Sequence, residues 1–337
     1  MKSSAIIIAT TAILLGVSLY AGISQSQYTE IPQEVVTQFQ EWKRSQNKLY
    51  RSPSEDHYRL SVFYKNLRMI NAHNAGGHSY TLAINRFADL TLEEFKVKYT
   101  GGLVPPAETA REDISLSTEG LPASIDWTTR GAVTAVKDQV TPNHCQACSA
   151  FATTGALEGL KAISGRGLTS MSEQQLLDCT TNMGNFGCRG GYPHIDFKYV
   201  SKAGIEAESS YPYQGVVGTC KHNPSKSIFK ISSFSYVPYL DNDALQAAVA
   251  TQPVSVLIDA SHLLYYSGGI VSSGCTQTID HAVLAVGYGT DGGKMYWKLK
   301  NSWGTNWGEN GYLRLIRKIG RGRTPCGINE YATRPIL

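Results

Sequence analysis

Cys145-Gln146-Ala147-Cys148 puts two thiols three residues apart, a spacing that suits a redox pair, half of a zinc site, or a single activated nucleophile. A redox pair wants a βαβ pattern around it, and a zinc site wants a second ligand pair at close spacing. Neither accompanies these residues. The chain carries seven cysteines, at 145, 148, 179, 188, 220, 275 and 326. In an oxidising compartment that number fits three disulfides and one leftover thiol. Cys148 stands just before an Ala-, Leu- and Phe-rich stretch, Ala150 to Ile163, which reads as a buried helix despite Gly155 and Gly159. A thiol at a helix N-terminus sits at the positive end of the macrodipole, which favours the thiolate.

Such a nucleophile needs a base, brought from far along the chain across a cleft. Asp280 to Gly289 reads as an apolar strand with His281 near its start. A lone strand histidine is usually structural, so His281 gains meaning only from a partner. In Met295 to Asn301, period-two alternation puts Asn301 on the face of Met295, Trp297 and Leu299, at the strand's end. An asparagine there can accept an imidazole N–H and fix the tautomer that a base toward Cys148 requires. His144 is a conceivable rival base, but it reads better as a polar loop residue.

The elements around these residues fall into regions. Met1-Lys2, an apolar run from Ala5 to Leu19 and small residues at Ala21, Gly22 and Ser24 read as a secretory signal peptide over residues 1–24, cut near Ala21 to Ser26. No lasting membrane anchor is expected, because the run is short for a bilayer span. Residues 25–100 contain no cysteine and carry a helical stripe, Glu55, Arg59, Phe63, Asn66, Ile70 and Asn74, at steps of three and four. Pro53 suits the start of that helix and Gly76-Gly77 its end. Thr91 and Glu94 read as a capping box for a short following helix. Residues 101–120 turn to Gly, Pro, Ser, Thr and acidic residues and read as an exposed, cleavable linker.

Several of these stretches resemble the papain-like cysteine proteases of the cathepsin L type. Asn301-Ser302-Trp303-Gly304, with Trp307-Gly308 and Gly311-Tyr312, is similar to that family's most specific motif. Glu55, Arg59, Val62, Phe63, Asn66, Ile70 and Asn74 resemble its inhibitory pro-segment. Ala83, Asn85, Phe87 and Asp89 resemble a second pro-segment motif with its glycine replaced. Leu121 to Trp127 resembles the mature start, which places activation cleavage near Leu121 and the protease domain at 121–337. His281 and Asn301 lie 133 and 153 residues beyond Cys148, near the spacing of about 130 to 150 expected of such chains.

The resemblance implies an α+β, two-lobed fold: a helical lobe carrying Cys148, a β-barrel-like lobe carrying His281 and Asn301, and a helical pro-segment before them. It implies peptide hydrolysis through an acyl-enzyme on Cys148, with His281 as acid and base, and Gln139 with the Cys148 N–H holding the oxyanion. Trp303 shields the His281–Asn301 bond, and Gly190-Gly191 pairs with extended substrate. Tyr192, Pro193, Leu257, Ala282 and Tyr331 line the pocket for the side chain two residues before the cut, expected to be hydrophobic. The implied disulfides are Cys145–Cys188, Cys179–Cys220 and Cys275–Cys326, which leaves Cys148 free. No metal or organic cofactor is needed. The expected partners are peptide or protein substrates and the chain's own pro-segment as inhibitor, with the mature protein a monomer in a lysosomal, vacuolar or extracellular setting.

The nucleophile's surroundings depart from the family pattern. Three residues are inserted between Gln139 and Cys145, a glycine has become Gln146, and a tryptophan has become Ser149. These changes keep a second reading open, a papain-like protein that binds peptides or partners without cutting them. Charge points to no nucleic acid. The net +4 arises in residues 121–337, with 19 basic against 15 acidic residues, and the basic run Arg314 to Arg323 reads as a solvated face.

Overall fold

The computed structural model describes residues 31–101, 116–276 and 278–337. The expected signal peptide and most of the expected linker lie outside them. Two compact units are present, one ending at Tyr64 and one running from Lys65 to Leu337. In the first, helix α1 (Gln33–Ser45) buries Val35, Phe39 and Trp42 along one face. Phe63, on the first part of α2 (Pro53–Ala75), packs 5.4 Å from both Phe39 and Trp42. Lys43 pairs with Asp56 beside them. Aromatic contacts of this kind are worth about 0.5 to 1.5 kcal/mol each beyond their burial.

The second unit explains why the α2 stripe mixes polar with apolar residues. Ile70 is buried, while Asn66 donates to the Ala88 and Leu90 carbonyls and Asn74 pairs with both backbone groups of Leu82. The stripe's asparagines thus satisfy the backbone that returns along the helix. That returning chain forms β1 (Tyr80–Leu82) and then α3 (Leu92–Tyr99), whose Thr91–Glu94 capping box is complete. Ala83, where the family pattern has glycine, needs no left-handed backbone. Its N–H continues the strand by donating to Tyr265 at 2.8 Å.

β1 is the outermost strand of a nine-stranded sheet ordered β1, β7 (Tyr266–Val271), β10 (Tyr312–Ile316), β9 (Lys294–Lys300), β8 (His281–Asp291), β6 (Val254–Ile258), β11 (Ala332–Ile336), β5 (Ser233–Tyr236), with β2 (Ile125–Asp126) added to β8. β3 (Ile205–Glu206) and β4 (Ser227–Phe229) form a separate pair. The helical half holds α4 (Cys148–Lys161), α5 (Glu173–Cys179) and α6 (Pro193–Ala203). Its core, including Leu157, Leu176, Phe197 and Val200, closes against Leu284 and Val286 of β8. Helix α4 starts two residues before the expected Ala150, with Cys148 as its first residue. Gly155 explains how so glycine-rich a helix holds: a Cβ there would come 2.7 Å from a Leu284 methyl, so the bare backbone lets α4 lie close on β8.

Beneath that contact lies a buried charge cluster. Lys137 reaches Glu158 at 3.0 Å and Glu173 at 2.5 Å, and Thr134 joins Glu158 to Lys300. Burial alone would raise both carboxyls. Lys137 and Lys300 overrule it at Glu158, which is held below its ordinary range, whereas Glu173 is pushed up to about 7. The lysine is therefore the cluster's keystone. Lys137→Met, in a precursor also carrying Cys148→Ala, is expected to cost roughly 3 kcal/mol because it strands buried carboxylates, and a matching fall in the thermal unfolding midpoint checks it.

Candidate active site

The strand register brings the predicted site residues together. β8 opens on His281, and β9 ends one residue before Asn301. The His281 Nε2 atom lies 2.8 Å from Asn301 Oδ1, which also accepts the Ser302 N–H at 2.8 Å. An acceptor at Nε2 makes that nitrogen the N–H and leaves Nδ1 a lone-pair base. Nδ1 is buried with no hydrogen-bond partner among the described residues. Ser302 extends the chain of bonds, its hydroxyl donating to Gln139 Oε1 at 2.6 Å. The Gln139 amide nitrogen donates in turn to the Cys145 carbonyl, 3.2 Å away. Cys148 closes the ring from the helical side: it packs on Ala282, the residue after His281, and its thiol meets the Ala282 N–H. The inserted residues lie between two points of this ring, Gln139 and Cys145.

Helix position suggested an acidic thiol, and the structure shows the opposite state. The Cys148 thiol is pushed up to about 11 by burial, which the Ala282 and Ser149 N–H groups only partly offset. Burial likewise pushes the His281 imidazole down to about 4 against the Asn301 bond. At neutral pH both groups stand uncharged. Their cover is the segment from Asn85 to Gly101. His281 stacks on Trp303 at 4.6 Å, and Phe87 and Phe95 meet Trp303 in T-shaped contacts with ring centroids at 5.9 and 5.2 Å. Arg86 pairs with Asp138 at 2.5 Å, and the Gly101 N–H donates to the Asp280 carbonyl at 2.7 Å.

The other site residues take distinct places. Leu257, Ala282 and Tyr331 form one apolar cluster with Cys148, and Tyr192 packs against it beside buried Pro193. Sequence reasoning missed Tyr236 and Ile279 in that cluster. It also missed His194, whose Nδ1 bonds the Tyr331 hydroxyl; a histidine directly after Tyr192-Pro193 was the available signal. Gly190 has a left-handed φ of 102°. A Cβ on Gly191 would come 2.8 Å from Asn185 and Ser149, so packing by itself calls for glycine. His144, the rival base, is exposed and stands against Tyr99 rather than Cys148. The three disulfides are Cys145–Cys188, Cys179–Cys220 and Cys275–Cys326, and Cys148 is the free cysteine. The basic run is tied down, with Arg314 on Glu309 and Asp291, and Arg321 on Asp241.

Where the family pattern has tryptophan, Ser149 joins a polar network beside a small cavity of about 10 Å³, lined also by Leu176, Leu177, Thr180, Asn185 and Asp196. Asp196 of α6 takes bonds from Asn185 (2.6 Å), Thr180 (3.3 Å), Thr153 (3.4 Å) and Ser149, and Asn185 accepts the Tyr192 N–H at 2.7 Å. No cation joins it in these bonds. Burial pushes the Asp196 carboxyl up to about 7, which the four donors only partly offset. Its folded proton is thus held where the unfolded chain has already lost it, so its stabilisation is complete below about pH 4 and fades as pH rises to about 7. Asp196→Asn, in a Cys148→Ala precursor, is expected to make the unfolding midpoint fall less steeply between pH 4 and 7, and calorimetry across that range checks it.

The model of the papain family cysteine proteases matches residues 121–336, and that of the cathepsin propeptide inhibitor domain (I29) matches residues 39–95. The chain is 40% identical over 298 residues to the senescence-specific cysteine protease SAG39 of Oryza sativa subsp. japonica, covering 85% of this chain and 86% of the relative. It is 39% identical over 307 residues to the cathepsin L-like proteinase of Fasciola hepatica, covering 88% and 92%. Among solved structures it is similar to a recombinant stem bromelain precursor, with a TM-score of 0.83 at 36% identity over 90% of this chain and 99% of that one. Digestive procathepsin L 3 of Tenebrio molitor larval midgut gives 0.81 at 40% over 90% and 99%.

Proposed function

Because this chain belongs to the papain family of cysteine proteases and carries that family's propeptide inhibitor domain, we propose that it is an endopeptidase precursor in which Cys148 is the nucleophile and His281 its base and acid. The carrying observation is the tautomer: Nε2 is committed to Asn301, and Nδ1 is left as a buried, partnerless acceptor. Once the cover lifts and water reaches the pair, the burial that holds both groups neutral is relieved, and the proton can pass from Sγ to Nδ1. The thiolate then attacks the scissile carbonyl carbon. Gln139 and the Cys148 N–H steady the oxyanion, His281 gives its proton to the departing amine, and a water deprotonated by His281 releases the acid from the thioester. Asn301 acts as a positioning residue, holding the imidazole through that exchange. The intact link from Gln139 through Ser302 to Asn301 and His281 favours cutting over the binding-only alternative.

The same reading divides the chain into a signal peptide at 1–24, an inhibitory segment at 25–100, a linker at 101–120 and the protease at 121–337, acting as a monomer in a lysosomal, vacuolar or extracellular compartment. Tyr331, its hydroxyl bonded to His194, shortens the pocket for the side chain two residues before the cut. Fluorogenic peptides that differ only there are expected to be cut about tenfold better with Val or Leu than with Phe, and hardly with Arg; a preference for Arg would refute the pocket assignment. At mildly acidic pH the precursor is expected to cleave itself near Leu121 and to take up a thiol-directed epoxide peptide at Cys148, both abolished by Cys148→Ala. A correctly folded precursor that never labels would sink the proposal.

A further inference from the structure

The inserted loop is built, and it is gripped by the covering segment. Its start is fixed by Asp138, which accepts the Val140 N–H and the Thr141 hydroxyl, both at 3.0 Å. Its middle is fixed by Asn143, whose amide donates to the Gln214 carbonyl at 3.0 Å, and its end by the Cys145–Cys188 disulfide. So anchored, it presents His144, and next to its end Gln146 stands where the family pattern has glycine. Gln146 donates its amide to the Val97 carbonyl, and His144 meets the edge of the Tyr99 ring at 5.5 Å and 82°. Val97 is 74% exposed, so Gln146 reads backbone there, whereas Tyr99 is only 5% exposed, its ring held between Phe87 and Phe95 of its own segment and His144 of the loop. The Gln146 N–H is bonded to Cys188, and Gln139 to the adjoining Cys145 carbonyl. The pair therefore stands between the proposed oxyanion donor and the Gly190-Gly191 edge.

We propose that His144 and Gln146 form a specificity subsite for an aromatic side chain, occupied in the precursor by Tyr99 at the end of α3 and in a substrate by the residue just before the cut. Gln146 takes a main-chain carbonyl, and the imidazole packs T-shaped against the ring. The substrate half rests on the protease reading above; the precursor half does not.

Cys148 is fully buried in the precursor and is the free cysteine among the described residues, so its alkylation rate reports lifting of the cover without any need for peptide cleavage. In the full-length chain at neutral pH with iodoacetamide, Gln146→Gly and His144→Ala are each expected to raise that rate about fivefold, from the loss of one hydrogen bond or one ring contact. His144→Phe, which keeps a ring, is expected to label as slowly as the parent. Tyr99→Ala raises the rate further, and adding His144→Ala to it is expected to change little more. Effects of Tyr99→Ala and His144→Ala that simply multiply, or His144→Phe labelling as fast as His144→Ala, would overturn the subsite. For the activated enzyme, peptide amides with Tyr rather than Ala before the cut are expected to be hydrolysed about fivefold faster, a preference lost in His144→Ala. Equal hydrolysis of the two would overturn the substrate half, whereas hydrolysis of neither would refute the protease reading and leave the labelling cycle to judge the subsite.

Discussion

One hydrogen bond, His281 Nε2 to Asn301 Oδ1, decides which nitrogen of the candidate base is free, and much of the molecule serves to keep that bond dry and aimed. Its two ends come from the start of one strand and the end of the next, so only the β8–β9 pairing, running from Asp291↔Lys294 back to Leu284↔Lys300, sets them at bonding distance. In water such a bond would exchange freely for solvent. Beneath stacked Trp303 it is isolated, and the imidazole keeps one tautomer. The cover from Phe87 and Phe95 extends the same isolation, and carried that far it switches the pair off. Desolvation that sharpens a hydrogen bond between neutral partners penalises the charge separation on which a thiolate–imidazolium pair depends. Latency here is a dielectric effect as well as a steric one.

The covering segment is held by means that do not compete with the site. β1 adds to the free edge of β7, so its main-chain bonds are those of an ordinary sheet. Gly269 marks how closely the backbones come, since a Cβ there would sit 2.5 Å from the Ser79 carbonyl. Asn85 then reaches the Leu264 carbonyl at 2.7 Å, and the Tyr265 hydroxyl bonds the Leu90 carbonyl at 3.3 Å.

How far the sequence revealed this follows from the range of each interaction. The α2 stripe and the Thr91–Glu94 box are local patterns, and local geometry fixes them. Cys148, His281 and Asn301 are distant in sequence, yet each sits in a motif whose neighbours give it away. The fold and the candidate triad were legible for those reasons. What stayed hidden depends on pairs with no periodic or motif signal: His194 with Tyr331, the Asp196 network, and the anchoring of the inserted loop. The protonation state was hidden most deeply, because a helix N-terminus is visible in a sequence and the desolvation that outweighs it is not.

The replaced tryptophan shows how such hidden pairs change an inference. Judged by volume alone, Ser149 predicts a cavity and a loss on the order of 3 to 5 kcal/mol. The structure answers with Asn185 and Asp196, whose hydrogen bonds line the small cavity that is left and run from Ser149 to the Tyr192 N–H. A ring would have filled the same volume without direction. The polar network couples helix α4, helix α6 and the glycine edge of the cleft through bonds of fixed geometry, and it does so around a carboxyl that burial keeps protonated on the acid side of neutrality. The four donors favour the ionised carboxyl and burial favours the protonated one, so the tie between these elements rests on two opposed effects of which burial is the larger.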